Sequence, residues 1–163
     1  MIKEKHIFIM VGCIGSGKTT LSKSLIGDTG IRISQDEMGK KGHKVDFMEA
    51  LELGYSPIVV DRMGFNKEQR MRYITPAREK GYAVTIFEFK TCPVVCLDRC
   101  MKREGHPNIP AGDKETAQRV IDFYHKNYEA PTEDEYDNIN IVDNHLDLES
   151  KVEDYSKYNP EGV

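Results

Sequence analysis

The chain has 163 residues, 39% of them hydrophobic and 31% charged, which is the length and composition of one globular domain with a sizeable core. Its formal net charge of -4 excludes a sequence-blind nucleic-acid coat, while leaving room for a local basic patch. No apolar run approaches the roughly 20 residues that span a bilayer, and the first one leads into a glycine-rich loop with no signal-peptide features, so no membrane role and a cytoplasmic location are expected.

The elements alternate. Residues 7–11 (Ile-Phe-Ile-Met-Val) read as a buried strand, followed by a helix over 17–25. A short strand over 31–34 is followed by a helix over 44–53, with Val45, Met48 and Leu51 on one side. Gly54-Tyr55-Ser56-Pro57 breaks that helix, and 58–61 form a third strand. A helix over 66–80 stops at Gly81, and a fourth strand covers 83–89. The next helix covers 93–104 and carries Pro93 in its first turn. Residues 105–112, with two glycines and two prolines, form a loop; a long helix over 113–129 and a last strand over 138–142 complete the pattern. The polar stretch 143–163 is weakly patterned. Strands separated by helices imply βαβ units, hence a parallel sheet flanked by helices, an α/β fold. With no repeat, low-complexity block or linker, residues 1–163 are expected to form one domain. Ligands of such sheets sit at the carboxyl ends of the strands, which directs attention to the residues just after each one.

After the first strand comes Gly12-Cys13-Ile14-Gly15-Ser16-Gly17-Lys18-Thr19, a full match to G-x-x-x-x-G-K-[ST] between a strand and a helix. In that setting the glycines let successive backbone N–H groups face phosphate oxygens, and the helix N-terminus adds partial positive charge. Gly12, Gly15, Ser16, Gly17, Lys18, Thr19 and Thr20 are the candidate nucleotide-binding residues. Lys18 is expected to reach the β- and γ-phosphates, and the Thr19 hydroxyl to ligate Mg²⁺, a cation that prefers oxygen. The implied cofactors are ATP or GTP with Mg²⁺.

The second strand leads into Ser34-Gln35-Asp36-Glu37. Asp36 at the mouth of the sheet can act as general base toward an attacking hydroxyl, or serve only as a helix-capping acid. Asp61, after the third strand, either holds a metal-bound water or orients its neighbours. Arg62 beside it can bind a phosphate or pair with Asp36. Arg99 and Arg103 lie four apart ahead of the Gly/Pro-rich loop, as in a helical lid carrying cations over a transferring phosphoryl group; the alternative is two solvated helix arginines. His106 and Lys102 border the same loop. Lys40, Lys41, His43 and Lys44 form a basic cluster that can grip acceptor phosphates or simply be solvated. Cys13, Cys92, Cys96 and Cys100 lack zinc-site spacing and are expected to be packing thiols, as Tyr124, Tyr128 and Tyr136 are expected to be packing aromatics.

Taken in order, four segments resemble the polynucleotide 5′-hydroxyl kinase family, both the phage-type end-repair kinases and the kinase module of fungal-type tRNA ligases. They are the phosphate loop through Thr20, Ile33-Ser34-Gln35-Asp36-Glu37, Val59-Val60-Asp61-Arg62-Met63-Gly64-Phe65-Asn66 with Gln69-Arg70, and Cys96-Leu97-Asp98-Arg99-Cys100-Met101-Lys102-Arg103-Glu104-Gly105. The resemblance implies a P-loop kinase-type sheet with a helical lid and an RNA or DNA 5′-hydroxyl end as acceptor. It also implies Asp36 as the base and Arg103, with Arg99, clamping the γ-phosphate. Phage-type relatives carry an arginine three residues after the base; here that position is Gly39, so Lys40, Lys41 or Arg62 would serve the acceptor instead. A stand-alone kinase, or one partnered by a separate ligase or phosphatase, is implied. Two alternatives are a small-molecule kinase on the same fold (nucleoside, sugar acid or antibiotic acceptor) and a nucleotide-dependent switch.

Overall fold

The computed structural model describes residues 4–34, 40–102 and 113–142, with residues 40–45 described as backbone alone. Chain order is β1 (His6–Val11), α1 (Lys18–Leu25), β2 (Ile31–Ile33), α2 (Lys40–Leu53), β3 (Ile58–Val60), α3 (Lys67–Glu79), β4 (Ala83–Phe89), α4 (Pro93–Lys102), α5 (Lys114–Asn127), a 3₁₀ turn (Glu133–Glu135) and β5 (Asn138–Val142). The strands form one parallel sheet in the order β2-β3-β1-β4-β5. Among the described residues no helix is long and apolar enough to cross a membrane.

β1 is central because it is apolar on both faces. Ile7, Ile9 and Val11 point to one side, where Ile58, Val60, Val84 and Ile86 join them beneath Phe47 and Leu51 of α2 and Tyr73, Ile74 and Ala77 of α3. Met10 points to the other side, with Val59, Phe87, Phe89 and Val142, beneath Leu21 of α1. Each such side chain removed from water contributes about 1.5–3 kcal/mol. β3 and β4 flank β1, so the chain leaves β1 where the sheet's connections diverge to opposite edges, and that is where a crevice forms. A third cluster joins Cys13 and Ile14 to Cys96 and Cys100 of α4 and to Ala117, Ile121 and Tyr124 of α5.

Local chemistry sets the helix starts. Asn66 Oδ1 accepts from the Gln69 N–H at 2.9 Å, and Asp113 Oδ1 from the Thr116 N–H at 3.0 Å, each satisfying a backbone donor of the first turn. Helix α2 begins at Lys40, four residues earlier than the hydrophobic spacing predicts, because its first turn carries no apolar periodicity to read. The 3₁₀ turn is also absent from the sequence reading. It exists to bury Glu135, whose side chain, like that of Arg70, is fully enclosed. Arg70 Nε donates to Glu135 Oε1 at 2.6 Å, Nη2 to Oε2 at 3.3 Å and Nη1 to the Gly64 carbonyl at 2.8 Å. The Thr132 N–H donates to Glu135 Oε2 at 2.8 Å.

Burial by itself raises the Glu135 carboxyl, but the Arg70 hydrogen bond, the Thr132 N–H and the Arg70 charge outweigh it and hold the group below the ordinary carboxylate value. A lowered folded pKa makes this contribution fully present above the unfolded value, and lost as pH falls through the folded one. Removing one partner leaves the other charge buried alone. Glu135→Ala is therefore expected to lose about 3–5 kcal/mol in urea unfolding, and an Arg70→Met/Glu135→Leu pair to regain most of it. A loss below about 1 kcal/mol in the single variant would show instead that water reaches Arg70.

Candidate functional site

The loop after β1 is pinned at its start by the Gly12 N–H, which donates to the Met63 carbonyl at 2.9 Å. It turns through Ser16, whose N–H reaches the Cys13 carbonyl at 3.2 Å, and enters α1 at Lys18. Two glycines are required by space. A Cβ on Gly15 (φ 72°) would lie 2.6 Å from the Cys96 carbonyl oxygen, and one on Gly12 would lie 2.7 Å from Ser16 Oγ and 2.9 Å from Phe89 Cβ. Helix α1 has no side-chain cap and no acidic residue in its first turn. Its leading N–H groups and its dipole therefore face the loop with no acid of the helix's own capping them.

Within the loop, Lys18 is 8% exposed and its ammonium donates to the Cys13 carbonyl at 2.7 Å. Ser16 Oγ is buried with no hydrogen-bond partner among the described residues. An orphaned hydroxyl, a lysine folded onto its own loop and an uncapped helix end make a donor set that fits a polyphosphate. Cys13 adds no negative charge there: its hydrogen bond to Cys96 and then its burial push the thiol up, so it stays protonated.

Thr19 and Thr20 are exposed on the first turn of α1. Thr19 Oγ1 donates to Asp61 Oδ2 at 3.0 Å. The same oxygen accepts Arg32 Nε at 2.8 Å and Arg32 Nη2 at 2.7 Å. Asp61 is 5% exposed, and its N–H continues the ladder to the Ile33 carbonyl at 2.9 Å. A hydroxyl and a carboxylate adjoining the phosphate loop are hard oxygen donors of the kind Mg²⁺ takes.

On the opposite side, Arg99 Nη1 of α4 donates to the Gly15 carbonyl at 3.0 Å, and Thr91 Oγ1 to the Ser16 carbonyl at 3.3 Å. Arg99 thus lies against the loop, whereas Lys102 on the same helix pairs with Asp98 at 3.0 Å in a solvated i,i+4 bridge worth little. Arg62 is drawn the other way: Nη1 donates to the Tyr73 hydroxyl at 2.8 Å, with the guanidinium over that ring at 5.9 Å. Asp61 takes Arg32 as its ion partner, a residue the sequence reading does not single out because one arginine in a three-residue strand carries no motif. Asp36 and Arg103 lie outside the described residues, as do Glu37, Gly39, His106 and the side chains of Lys40, Lys41, His43 and Lys44. Cys96, Cys100 and Tyr124 are buried packing residues, and Tyr128 and Tyr136 pack against the core from partly buried positions.

No known protein-family profile matches the chain. Solved structures do. A sugar kinase from Janibacter sp. aligns over 97% of this chain and 95% of its own at 20% identity, with a TM-score of 0.57. Kti12 of Chaetomium thermophilum, in complex with ADP-AlF3, aligns over 96% and 99% at 12% identity, with a TM-score of 0.60. A chain of the Pnkp1/Rnl/Hen1 RNA repair complex aligns over 79% of this chain and 48% of its own at 15% identity, with a TM-score of 0.56. These likenesses establish the fold: the five-stranded parallel sheet with its flanking helices is that of the P-loop kinases.

The seating of α4 on the loop is testable. Gly15→Ala forces a side chain into left-handed backbone and against the Cys96 carbonyl, and is expected to lower Tm by about 3–8 °C in a circular-dichroism melt. An unchanged Tm would mean that α4 does not press on Gly15.

Proposed function

We propose that this protein is an NTP- and Mg²⁺-dependent polynucleotide 5′-hydroxyl kinase, moving the γ-phosphate of ATP or GTP onto the 5′-hydroxyl end of an RNA or DNA strand. The observation that carries the phosphotransferase reading is the phosphate loop itself: an uncapped helix end, an orphaned Ser16 hydroxyl and the Lys18 ammonium converging at the mouth of a P-loop kinase sheet. The nucleic-acid acceptor is supported by the four ordered segments, by the basic run at Lys40 and Lys41, and by the likeness to a chain of an RNA repair complex.

In this reading Lys18 exchanges the Cys13 carbonyl for the β- and γ-phosphates, and the N–H groups at the loop's end and the start of α1 hold the chain of phosphates in place. Thr19, with Asp61 behind it, holds the Mg²⁺, which when bound offsets charge on the phosphate oxygens. Asp36 takes the proton of the 5′-hydroxyl as that oxygen attacks the γ-phosphorus in line and the NDP oxygen leaves. Arg99, from the α4 side, and Arg103 stabilise the equatorial oxygens. Arg62, Lys40 and Lys41 take the acceptor's phosphates. Among the described residues Arg62 is held by the hydroxyl and ring of Tyr73, both neutral partners that an acceptor phosphate can displace.

A second reading, a small-molecule kinase acting on a nucleoside, sugar acid or antibiotic, is favoured by the -4 charge and by the near-full-length likeness to a sugar kinase. The two separate on salt. An oligonucleotide acceptor held by about three cations loses affinity steeply with ionic strength, whereas a small neutral acceptor does not.

The test is transfer of label from γ-labelled ATP or GTP to a short 5′-hydroxyl RNA or DNA, beside an Asp36→Ala variant. The expected outcome is label on the 5′ end and a loss of about 10²–10⁴-fold in kcat without the base. Transfer that survives the substitution removes Asp36 from the reaction. Tight triphosphate binding with no oligonucleotide labelled moves the acceptor to the small-molecule class.

A further inference from the structure

The cluster around Asp61 is more elaborate than a metal-facing carboxylate needs. Thr19 Oγ1 at 3.0 Å, Arg32 Nε at 2.8 Å and Arg32 Nη2 at 2.7 Å all converge on one oxygen, Oδ2. The Asp61 and Arg32 side chains are 4% and 11% exposed. Burying a carboxylate that deeply is costly unless charge and donors compensate it, and the guanidinium supplies both. Arg32 sits opposite Val59 in the β2–β3 register and reaches past it to the residue that follows β3.

Two consequences follow from the geometry. The Thr19 hydroxyl has a single proton, and donating it to Oδ2 keeps its lone pairs available to a cation. With Oδ2 taken by three donors, Oδ1 is engaged by none of them and is the Asp61 oxygen able to accept from a metal-bound water. A freely rotating carboxylate would satisfy neither condition for long.

We infer that Arg32 is a positioning residue for the divalent cation: acting through Asp61, it fixes the carboxylate so that Thr19 presents its oxygen to Mg²⁺. The inference rests on the nucleotide-binding reading above and not on the identity of the acceptor. It differs in kind from a staple joining β2 to β3, which would stabilise the fold and leave the metal indifferent.

The experiment measures ADP affinity by fluorescence of a labelled ADP, with and without Mg²⁺, and Mn²⁺ binding to the ADP complex by electron paramagnetic resonance. It uses the full chain as wild type, Arg32→Gln, Arg32→Lys, Asp61→Asn and the Arg32→Gln/Asp61→Asn double variant. In Arg32→Gln the metal-free ADP affinity is expected to stay within about twofold, while the tightening conferred by Mg²⁺ shrinks about tenfold and Mn²⁺ binding weakens in parallel. Arg32→Lys, which keeps the charge but loses the fork, falls between. In the Asp61→Asn background the loss of Arg32 adds nothing further.

Removal of a nearby positive charge alone would strengthen cation binding, so a gain in place of a loss overturns the inference. It is overturned equally by an unchanged Mg²⁺ effect in folded Arg32→Gln, by an equal loss of metal-free affinity, or by failure of both Arg32 variants to fold, which would make the residue a staple. Wild type that binds no Mg²⁺-ADP at all refutes the parent reading instead, a result distinguishable from each of these.

Discussion

The buried, arginine-paired carboxylate of Asp61 is the constraint around which the mouth of this sheet is organised. Three segments meet on its Oδ2: the first turn of α1 through Thr19, strand β2 through Arg32, and the end of β3 that carries Asp61 itself. A charge 5% exposed cannot be left to solvent, so none of the three can move away without uncovering it. That requirement makes the β2-β3-β1 order consequential. Only with β3 beside β1 does the residue following β3 come within hydrogen-bonding distance of the helix that follows the phosphate loop.

The phosphate loop is held from two further directions, both through its backbone. Arg99 and Thr91 take the carbonyls of Gly15 and Ser16. Gly12 donates to Met63, next to Gly64, and the Gly64 carbonyl is in turn held by the buried Arg70. The Arg70–Glu135 pair therefore reaches the site through one loop and two carbonyls, although neither charge approaches a phosphate. A desolvated pair of this kind contributes little net stability but is costly to break, which suits it to fixing geometry. The side chains of Cys13, Cys96 and Cys100 fill the space between loop and α4.

Arg62 and Arg99 show how alike two arginines look in sequence and how differently they are held. Arg99 is fixed to a loop carbonyl beside the helix end, while Arg62 rests on the hydroxyl and ring of Tyr73. Both of these partners are neutral, and a cation on a neutral partner is released to an incoming anion more easily than one on a carboxylate. Arg32, paired with Asp61, is the least free of the three.

By itself the sequence determined what is local. Short continuous apolar runs specify strands buried on both faces, Asn66 and Asp113 mark helix starts through bonds spanning three residues, and the spacing from Gly12 to Thr19 forces a backbone turn that can accept phosphate. The alternation of strands and helices then leaves a parallel sheet as the only way to bury both faces. Tertiary structure alone decided which charges meet. Arg32 and Asp61 are 29 residues apart, and Arg70 and Glu135 are 65 apart. No periodicity links such positions, because an ion pair in the interior is chosen by which strands adjoin and which charges packing strips of water. For the same reason a solvated Lys102 and a loop-bound Arg99, neighbours on one helix, are indistinguishable until α4 is laid against the phosphate loop.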